Sequence, residues 1–434
     1  MSTPLNILFL CNKPPLGAGA NTIRDHIDAF QQYSEHNIWL YSNLGNFSKK
    51  LDLNRFDVLI VHYSIFVLRS SYLSQAAKTK IHDFQGLKVI FIQDEYRRVN
   101  AMVDELDALG MDVLFTCFEE HVFGSIYSPK RLPKLSKYHN LTGYIPKRLT
   151  EVTDQVPIKD RALHVGYRGR ELPYWYGELA RDKSDIAEKW QQKLPEGSGI
   201  RSDVSANESD RIYGGNWNQF LSSCKATLGV ESGTSVIDFT GELEHEVEAY
   251  QVAHPNASFQ EVQAKFFLDK EGLYPLNVIS PRCFEAIALK TALVLFEGTY
   301  SNVLVKGRHY IELKKDFSNL EEVKAYLQDD AFLQNMVDVT FDEIALNPKY
   351  QYQSFITHVD DVISKEFAER EIIKTAHGYS KDEFQVAIQY RRIFKQLVAK
   401  GMLLYQRLPL GIRLRLRAYH KFFVRKQSSQ GAAS

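Results

Sequence analysis

Short apolar segments alternate with amphipathic stretches along most of this 434-residue chain, and the alternation constrains its fold more than any other feature. The stretches between the apolar segments repeat their hydrophobic residues at helical spacing. Such alternation predicts a parallel β-sheet with helices on both faces. The strands predicted in the first part of the chain are residues 5–10, 37–41, 58–61, 89–92 and 113–115.

The alternation weakens over residues 128–157, which contain four prolines, and we place a domain boundary there. A second series then predicts strands at 162–165, 200–204, 226–230, 292–296 and 310–313. The sequence therefore predicts an α/β protein of two doubly wound Rossmann-like domains, with a ligand cleft between them and a helical C-terminal extension. The predicted divisions are 1–155, 156–345, 346–400 (helices that cross back to the first domain) and 401–434 (a basic tail).

Composition narrows the class of protein. Hydrophobic residues make up 44% of the chain and charged residues 24%, which excludes a disordered or collagen-like protein. The four cysteines are widely spaced and form no Cys-x-x-Cys pair, so we expect reduced thiols in a cytosolic protein. No apolar run approaches the roughly 20 residues of a membrane span. We therefore expect a cytoplasmic protein that is soluble or bound to the inner face of a membrane.

The charge is unevenly distributed. The formal net charge is +0, but eleven basic residues and no acidic residue follow Glu383, so residues 1–383 carry a net charge of −11. In the tail the basic residues are interleaved with apolar ones, which is typical of an interfacial helix on an anionic membrane. The alternative is that the terminal helices brace the first domain and the remainder is a solvated tail.

The densest chemistry lies in residues 278–297. Ser280 is a good N-cap and Pro281 suits the first helical position, so the start of a helix is well specified. The amides of its first turn, together with Arg282, can hold a diphosphate. Glu285 shares a face with Arg282, and its carboxylate can accept hydrogen bonds from two ribose hydroxyls. The alternative is a capped surface helix with an intrahelical Arg–Glu pair.

The run Glu285-Ala-Ile-Ala-Leu-Lys-Thr-Ala-Leu-Val-Leu resembles the donor-binding element of GT-B glycosyltransferases, particularly bacterial group 1 members near the large retaining family four. The resemblance covers roughly residues 160–330, whereas the first domain resembles the family only in its strand–Gly loop–helix opening. It implies that Glu285 binds the ribose of a sugar nucleotide. Many members carry another Glu eight positions earlier that contacts the donor sugar, and here that position is the uncharged Asn277.

Two further segments of the second domain are candidate donor contacts. The resemblance implies that the Gly-rich turn after the first strand faces the donor phosphates, so that Arg168 and Arg170 offset their charge. Glu231 and Ser232 follow another strand, at the edge where open α/β sheets bind ligands, and Glu231 could bind sugar or base. The alternatives are solvated arginines in a turn and a solvated glutamate.

Candidate residues in the first domain lie after its predicted strands. Gly17 and Gly19 resemble the family's first strand–helix loop, which lines the acceptor side. His62 follows the strand at 58–61, whereas Asp94 and Glu95 follow the strand at 89–92. Any of these three could orient an acceptor hydroxyl or act as a base, although isolated residues of this kind at strand ends are usually structural.

No Asp-x-Asp, P-loop or nucleophile elbow occurs in the sequence, which weighs against a metal-bound donor site and against other enzyme classes. The resemblance implies a metal-independent glycosyltransferase without a cofactor. Its donor would be a nucleoside diphosphate sugar, and its acceptor a surface polysaccharide or lipid-linked glycan; no nucleic-acid partner is expected. Two alternatives stay open: a GT-B sugar-nucleotide epimerase, and a GT-B protein that binds nucleotide or glycan without turnover.

Overall fold

The structure, a computed structural model, describes residues 3–388 apart from Ala18 and Asp154, together with Leu404, Tyr405, Leu408 and Ile412. The chain forms two parallel β-sheets covered by helices. Within the described residues, no helix is long and apolar enough to cross a membrane. The predicted interfacial helix of the basic tail lies outside the described residues, except for the four isolated positions named above.

The first domain contains the strands β1 (Asn6–Leu10), β2 (Asn37–Tyr41), β3 (Val58–Val61), β4 (Leu87–Phe91), β5 (Val113–Thr116) and β6 (Ser136–His139). They are parallel and lie in the order β2-β1-β3-β4-β5-β6. Every residue of β3 is buried, because helices cover both faces of the sheet. The sequence did not predict β6, since its Ser-Lys-Tyr-His segment lacks an apolar run.

The helices of this domain are α1 (Asn21–Tyr33), α2 (Gln75–Asp83), α3 (Val99–Leu109), α4 (Phe123–Ile126) and α5 (Lys147–Thr150). The last of these ends shortly before the chain enters the second sheet. The first three agree with the helices predicted between the strands, to within a few residues at each end.

The second domain contains the strands β7 (Leu163–Arg168), β8 (Ser202–Ser205), β9 (Cys224–Gly229), β10 (Ser232–Thr234), β11 (Leu276–Val278), β12 (Ala292–Phe296) and β13 (Ile311–Leu313). Its parallel sheet has the order β13-β12-β9-β7-β8. The strands β10 and β11 form a separate antiparallel ribbon. The sequence did not predict this ribbon, because each of its strands is only three residues long.

The helices of this part of the chain are α6 (Glu178–Lys193), α7 (Gly215–Ser223), α8 (Glu242–Ala253), α9 (Phe259–Phe266), α10 (Pro281–Ala288), α11 (Leu320–Gln328) and α12 (Asp330–Thr340). A turn of π-helix, Phe341–Ala345, follows α12. Two helices complete the described chain, α13 (Tyr352–Glu369) and α14 (Lys381–Ile388).

The helix α13 returns to the first domain and packs beside α1. Its Asp360 accepts hydrogen bonds from Ser34 Oγ, at 2.9 Å, and from the Glu35 amide, at 2.8 Å, just beyond the end of α1. Aliphatic and aromatic residues of α13 complete the core on that face of the first sheet. The predicted α/β class, with two doubly wound domains and a helical C-terminal extension, is confirmed.

Candidate active site

A cavity of about 220 Å³ lies at the carboxyl edge of the second sheet. The strand β7 lies between β8 and β9 in the sheet. The connection from β7 therefore runs to one side, to β8, and the next connection crosses to β9 on the other side of β7. Ligands bind at such a switch point because the two connections diverge there and leave a crevice. The ends of β7 and β9 and the start of α10 line this cavity.

Four cationic side chains line the cavity: Arg170, Lys183, Arg211 and Arg282. Among the described residues, no carboxylate belongs to this lining. Arg211 is paired with Glu208, with 3.2 Å between Nη1 and Oε1. The side chains of Arg170 and Lys183 have no hydrogen bond or salt bridge to any described residue. This excess of positive charge suits a phosphate or diphosphate group.

The N-terminus of α10 adds to the positive potential. The Ser280 side chain caps the helix by accepting a hydrogen bond from the Arg282 amide at 3.4 Å, and Pro281 occupies the first position, as predicted. Ser280, Arg282 and Cys283 line the cavity, so the first turn of the helix borders it directly. The unpaired amides at a helix start carry partial positive charge and bind anions.

Glu285 is buried one turn into α10, beside the cavity wall. Its Oε2 accepts a 2.7 Å hydrogen bond from Trp217 Nε1, and the Arg282 guanidinium lies 5.0 Å from the centroid of the same indole ring. Burial raises the pKa of Glu285, whereas the Trp217 hydrogen bond and the Arg282 charge oppose this shift. Within the described chain, Oε1 accepts no hydrogen bond, and Glu285 lies behind Trp217 and Arg282, which line the cavity, without lining it itself.

Lys183 is a site residue that sequence reasoning missed. It lies on α6 and reaches the same cavity as Arg170. Burial and the charge of Arg170 lower the pKa of Lys183 to about 8, against the opposing effect of Asp94. A lysine on an amphipathic helix gives no signal of its own. Only its place on the first helix after the Gly-rich turn could have suggested a role at the phosphates.

Arg168 does not line the cavity, although the resemblance implies that it offsets the charge of the donor phosphates. Its guanidinium donates to the carbonyls of Tyr167, Asp203 and Asp210, each at 2.9 Å, and to the Asp203 carboxylate at 2.7 Å. It also lies over the ring of Phe220. These bonds engage all three nitrogens, so Arg168 braces the loops beside β7 and β8. Of the two predicted arginines, Arg170 alone lines the cavity.

Glu231 and Asn277 form a structural pair beside the cavity. Glu231 Oε1 accepts hydrogen bonds from the amide and hydroxyl of Thr299 and from the Tyr300 amide, at 2.7–3.0 Å. Its Oε2 accepts a bond from Asn277 Nδ2 at 2.9 Å. Both side chains thus hold the turn after β12, and their predicted donor contacts would compete with these bonds. Ser232, the other residue predicted here, lines the cavity.

Two of the predicted catalytic residues are buried in the first domain. His62 is 0% exposed, and its ring nitrogens contact Ser64 Oγ at 2.8 Å and His26 Nδ1 at 3.1 Å. Glu95 accepts hydrogen bonds from Thr116, Tyr127 and the Cys117 amide, and burial raises its pKa to about 7. Packing encloses both side chains, whereas a residue that orients an acceptor hydroxyl or acts as its base has to reach the cleft.

Asp94 is the remaining candidate, and it lies at the cleft. Its side chain is exposed, and no described residue pairs with its carboxylate. Its backbone is left-handed, with φ 58°, a conformation that non-glycine residues adopt mainly at functional sites and turns. Its negative charge raises the pKa of Lys183 in the second domain, against the larger effects of burial and Arg170.

The loop that carries Gly17 and Gly19 contacts the second domain. Gly17 and Gly214 approach so closely that a Cβ on Gly214 would lie 3.1 Å from the Gly17 Cα. Asn21, at the start of α1, donates to the Gly214 carbonyl at 3.1 Å. Gly17 and Gly214 both have positive φ, which permits this contact between their backbones. The predicted acceptor-side loop therefore meets the segment that precedes α7 and Trp217.

No protein-family model and no curated protein sequence matches the chain. Solved structures are similar to the chain only at low identity and low TM-score. An alpha-glucosyltransferase in complex with UDP-glucose and DNA containing an abasic site is 11% identical, with a TM-score of 0.49 over 83% of this chain and 100% of that one. HepE of Anabaena, in complex with UDP and glucose, is 9% identical, with a TM-score of 0.44 over 83% and 99% of the two chains. An alpha1,3-fucosyltransferase is 10% identical, with a TM-score of 0.42 over 84% and 91%.

Because these identities and TM-scores are low, the assignment of the fold rests on the topology of the chain itself. Two doubly wound domains contact each other through the loops at the carboxyl edges of their sheets, and a helix returns from the second domain to the first. This is the GT-B arrangement that the sequence resemblance implies. The resemblance is therefore confirmed at the level of the fold.

The cavity predicts a pH-dependent affinity for nucleoside diphosphates. A bound phosphate favours the charged form of Lys183, so affinity should be high below about pH 8 and fall as the pH rises through that value. Isothermal titration with a nucleoside diphosphate from pH 7 to pH 9.5 measures this. A Lys183→Met protein should bind more weakly and lose the dependence. Equal pH profiles for the two proteins would exclude Lys183 from the site.

Proposed function

We propose that the protein is a glycosyltransferase that uses a nucleoside diphosphate sugar as its donor. The observation that carries this proposal is the cavity at the switch point of the second sheet, lined by four cations and no described carboxylate. Beside it lies a buried glutamate with one unoccupied oxygen, at the start of a capped helix. Diphosphate and ribose need this combination of fixed cations and a nearby hydroxyl acceptor.

In this proposal Arg170, Lys183 and Arg282 hold the diphosphate, and Glu285 accepts hydrogen bonds from the ribose. Fixed cations stabilise the charge that develops on the diphosphate as it departs from the sugar. They supply the charge that a metal ion supplies in other transferases. We therefore propose transfer without a metal or any other cofactor.

Asp94 is the proposed general base. It belongs to the first domain, where the acceptor would bind, its side chain is exposed, and its charge raises the pKa of Lys183 in the cationic cavity. A carboxylate in this position can remove the proton of an acceptor hydroxyl as that oxygen attacks the sugar. We propose a surface-polysaccharide or lipid-linked glycan as the acceptor, and a cytoplasmic enzyme that works at a membrane surface. The excess of basic residues in the tail supports the membrane part of this proposal.

The donor site is tested by thermal stabilisation with a panel of sugar nucleotides and their nucleoside diphosphates. A ligand at 100 times its dissociation constant stabilises the protein by about 2.7 kcal/mol. Replacing Glu285 with Gln should weaken binding of the nucleotide by roughly 1.5–3 kcal/mol, since a charged hydrogen-bond acceptor is lost. The control is Glu297→Gln, which changes an exposed glutamate after β12. Unchanged affinity in a folded Glu285→Gln protein would remove this residue from the site.

The role of Asp94 is tested by Asp94→Asn. This change should lower sugar-nucleotide turnover by roughly 100-fold or more, because a general base contributes about 10²–10⁴ in rate. Affinity for the nucleoside diphosphate should stay within a few-fold, since Asp94 lies across the cleft from the phosphates. Asp107→Asn, on the exposed face of α3, is the matched control. Full turnover in the Asp94→Asn protein would contradict its assignment as the base.

Metal independence is tested with EDTA. Turnover of the sugar nucleotide should be the same with and without the chelator, because fixed cations supply the charge at the diphosphate. Loss of turnover in EDTA, restored by magnesium or manganese, would contradict this part of the proposal. Omitting the acceptor in the same assay separates transfer from epimerisation, since only transfer requires an added acceptor.

A further inference from the structure

The second domain sends a long excursion towards the first domain, residues 235–275, which we call the strap. It leaves and re-enters through the antiparallel ribbon β10–β11, in which Ser232 faces Val278 and Thr234 faces Leu276. The strap carries α8 and α9, and its apolar residues belong to the same hydrophobic core as residues of α3. The buried residues of the excursion therefore pack against the first domain, whereas others, such as Val252 and Leu268, are exposed.

The strap is bonded to the loop between β4 and α3, which carries Asp94. The Asp238 amide donates to the Tyr96 carbonyl at 2.9 Å, and the Val99 amide donates to the Asp238 carbonyl at 3.2 Å. The Asn100 amide donates to the Phe239 carbonyl at 2.9 Å. These main-chain bonds join the two domains within a few residues of Asp94.

An ion pair reinforces this connection. Arg97 Nε donates to Glu244 Oε2 at 3.1 Å, and Arg97 Nη2 donates to Glu244 Oε1, so the pair is bidentate. The Glu244 side chain is only 8% exposed, which makes the loss of either partner costly. The carboxylate of Asp238 accepts from the amides of Gly241 and Glu244 at 2.7 and 3.0 Å, and so fixes the start of α8.

The same loop also meets the segment that leads from the cavity to α6. The rings of Tyr96 and Tyr176 lie 4.8 Å apart, and Tyr176 stacks on Trp175 at 4.2 Å. Arg97 lies 5.5 Å from the Trp175 ring centroid. This segment runs from Arg170 towards the helix of Lys183. The strap and the loop thus contact the segment that joins Arg170 to the helix of Lys183.

We propose that Arg97, Glu244 and Asp238 are positioning residues. They hold the loop of Asp94, the proposed base, against the Trp175–Tyr176 segment of the second domain. Asp94 and Arg98 both have left-handed backbones, with φ of 58° and 52°, and such conformations persist only where the surroundings enforce them. The strap bonds to Tyr96, which lies between these two residues, and to Val99 and Asn100, which follow them, and so holds the backbone in this conformation. This inference rests on the proposed function, because it assigns the strap a part in the transfer step.

The test compares Arg97→Met, Glu244→Gln and the charge-reversed pair Arg97→Glu with Glu244→Arg. Asp104→Asn is the control, since it breaks the exposed Arg131–Asp104 ion pair on the same helix α3. The measurements are sugar-nucleotide turnover, nucleoside diphosphate affinity and hydrogen exchange of the Val99 and Asn100 amides. We expect a tenfold or greater fall in turnover for each single variant, affinity within twofold of the parent protein, and faster exchange at both amides. The reversed pair should recover part of the turnover.

Several results would overturn the inference. Full turnover in a variant whose Val99 and Asn100 amides exchange faster would show that the strap does not position Asp94. A parallel fall in turnover and diphosphate affinity would assign the strap to the donor site instead. If the Arg97→Met protein does not fold, the isosteric Glu244→Gln decides by the same criteria. If the parent protein binds no sugar nucleotide, the proposed function fails. Separately, unchanged hydrogen exchange at the Val99 and Asn100 amides in the variants would contradict the role of the strap in holding the loop.

Discussion

The candidate site depends on one constraint. Arg170 and Lys183 place positive charge at the carboxyl edge of the second sheet, and no described carboxylate pairs with them. A buried ammonium or guanidinium is costly unless an opposite charge compensates it. Lys183 responds with a lowered pKa, and the start of α10 adds partial positive charge at the same place. In the proposed function an anionic ligand supplies the missing charge, and its binding would relieve an electrostatic cost that the fold itself creates.

Contacts between the two domains determine which groups of the first domain lie near this charge. Gly17 and Gly214 touch on one side, and the strap reaches the Asp94 loop on the other. The loop that carries Asp94 thereby meets the Trp175–Tyr176 segment, which lies between Arg170 and α6 in the sequence. Because these contacts involve main-chain groups, a shift of either domain would break several bonds together.

The sequence predicts best those features whose causes are local. The N-cap Ser280, Pro281 and Glu285 lie within six residues, so their pattern is readable without tertiary structure. Arg168 differs, because Asp203 and Asp210, which engage its guanidinium, are distant in sequence. His62 and Glu95 stand at strand ends like Asp94, but packing decides which side chains face the cleft. Lys183 is invisible to sequence reasoning for the same reason.

The ribbon β10–β11 is a separate two-stranded sheet, so the excursion that it closes is not part of the five-stranded sheet of the second domain. Gly233 in this ribbon has φ 106°, and a Cβ there would overlap the Leu276 carbonyl, so only glycine permits the close pairing. The pairing brings the two ends of the excursion together, and the entropy of closing a loop grows only with the logarithm of its length. A change in the length of the excursion that leaves its contacts with α3 and the Asp94 loop intact therefore costs little in loop-closure entropy. The exposed part of the cleft rim can in this way change in size while the cation-lined cavity stays unaltered.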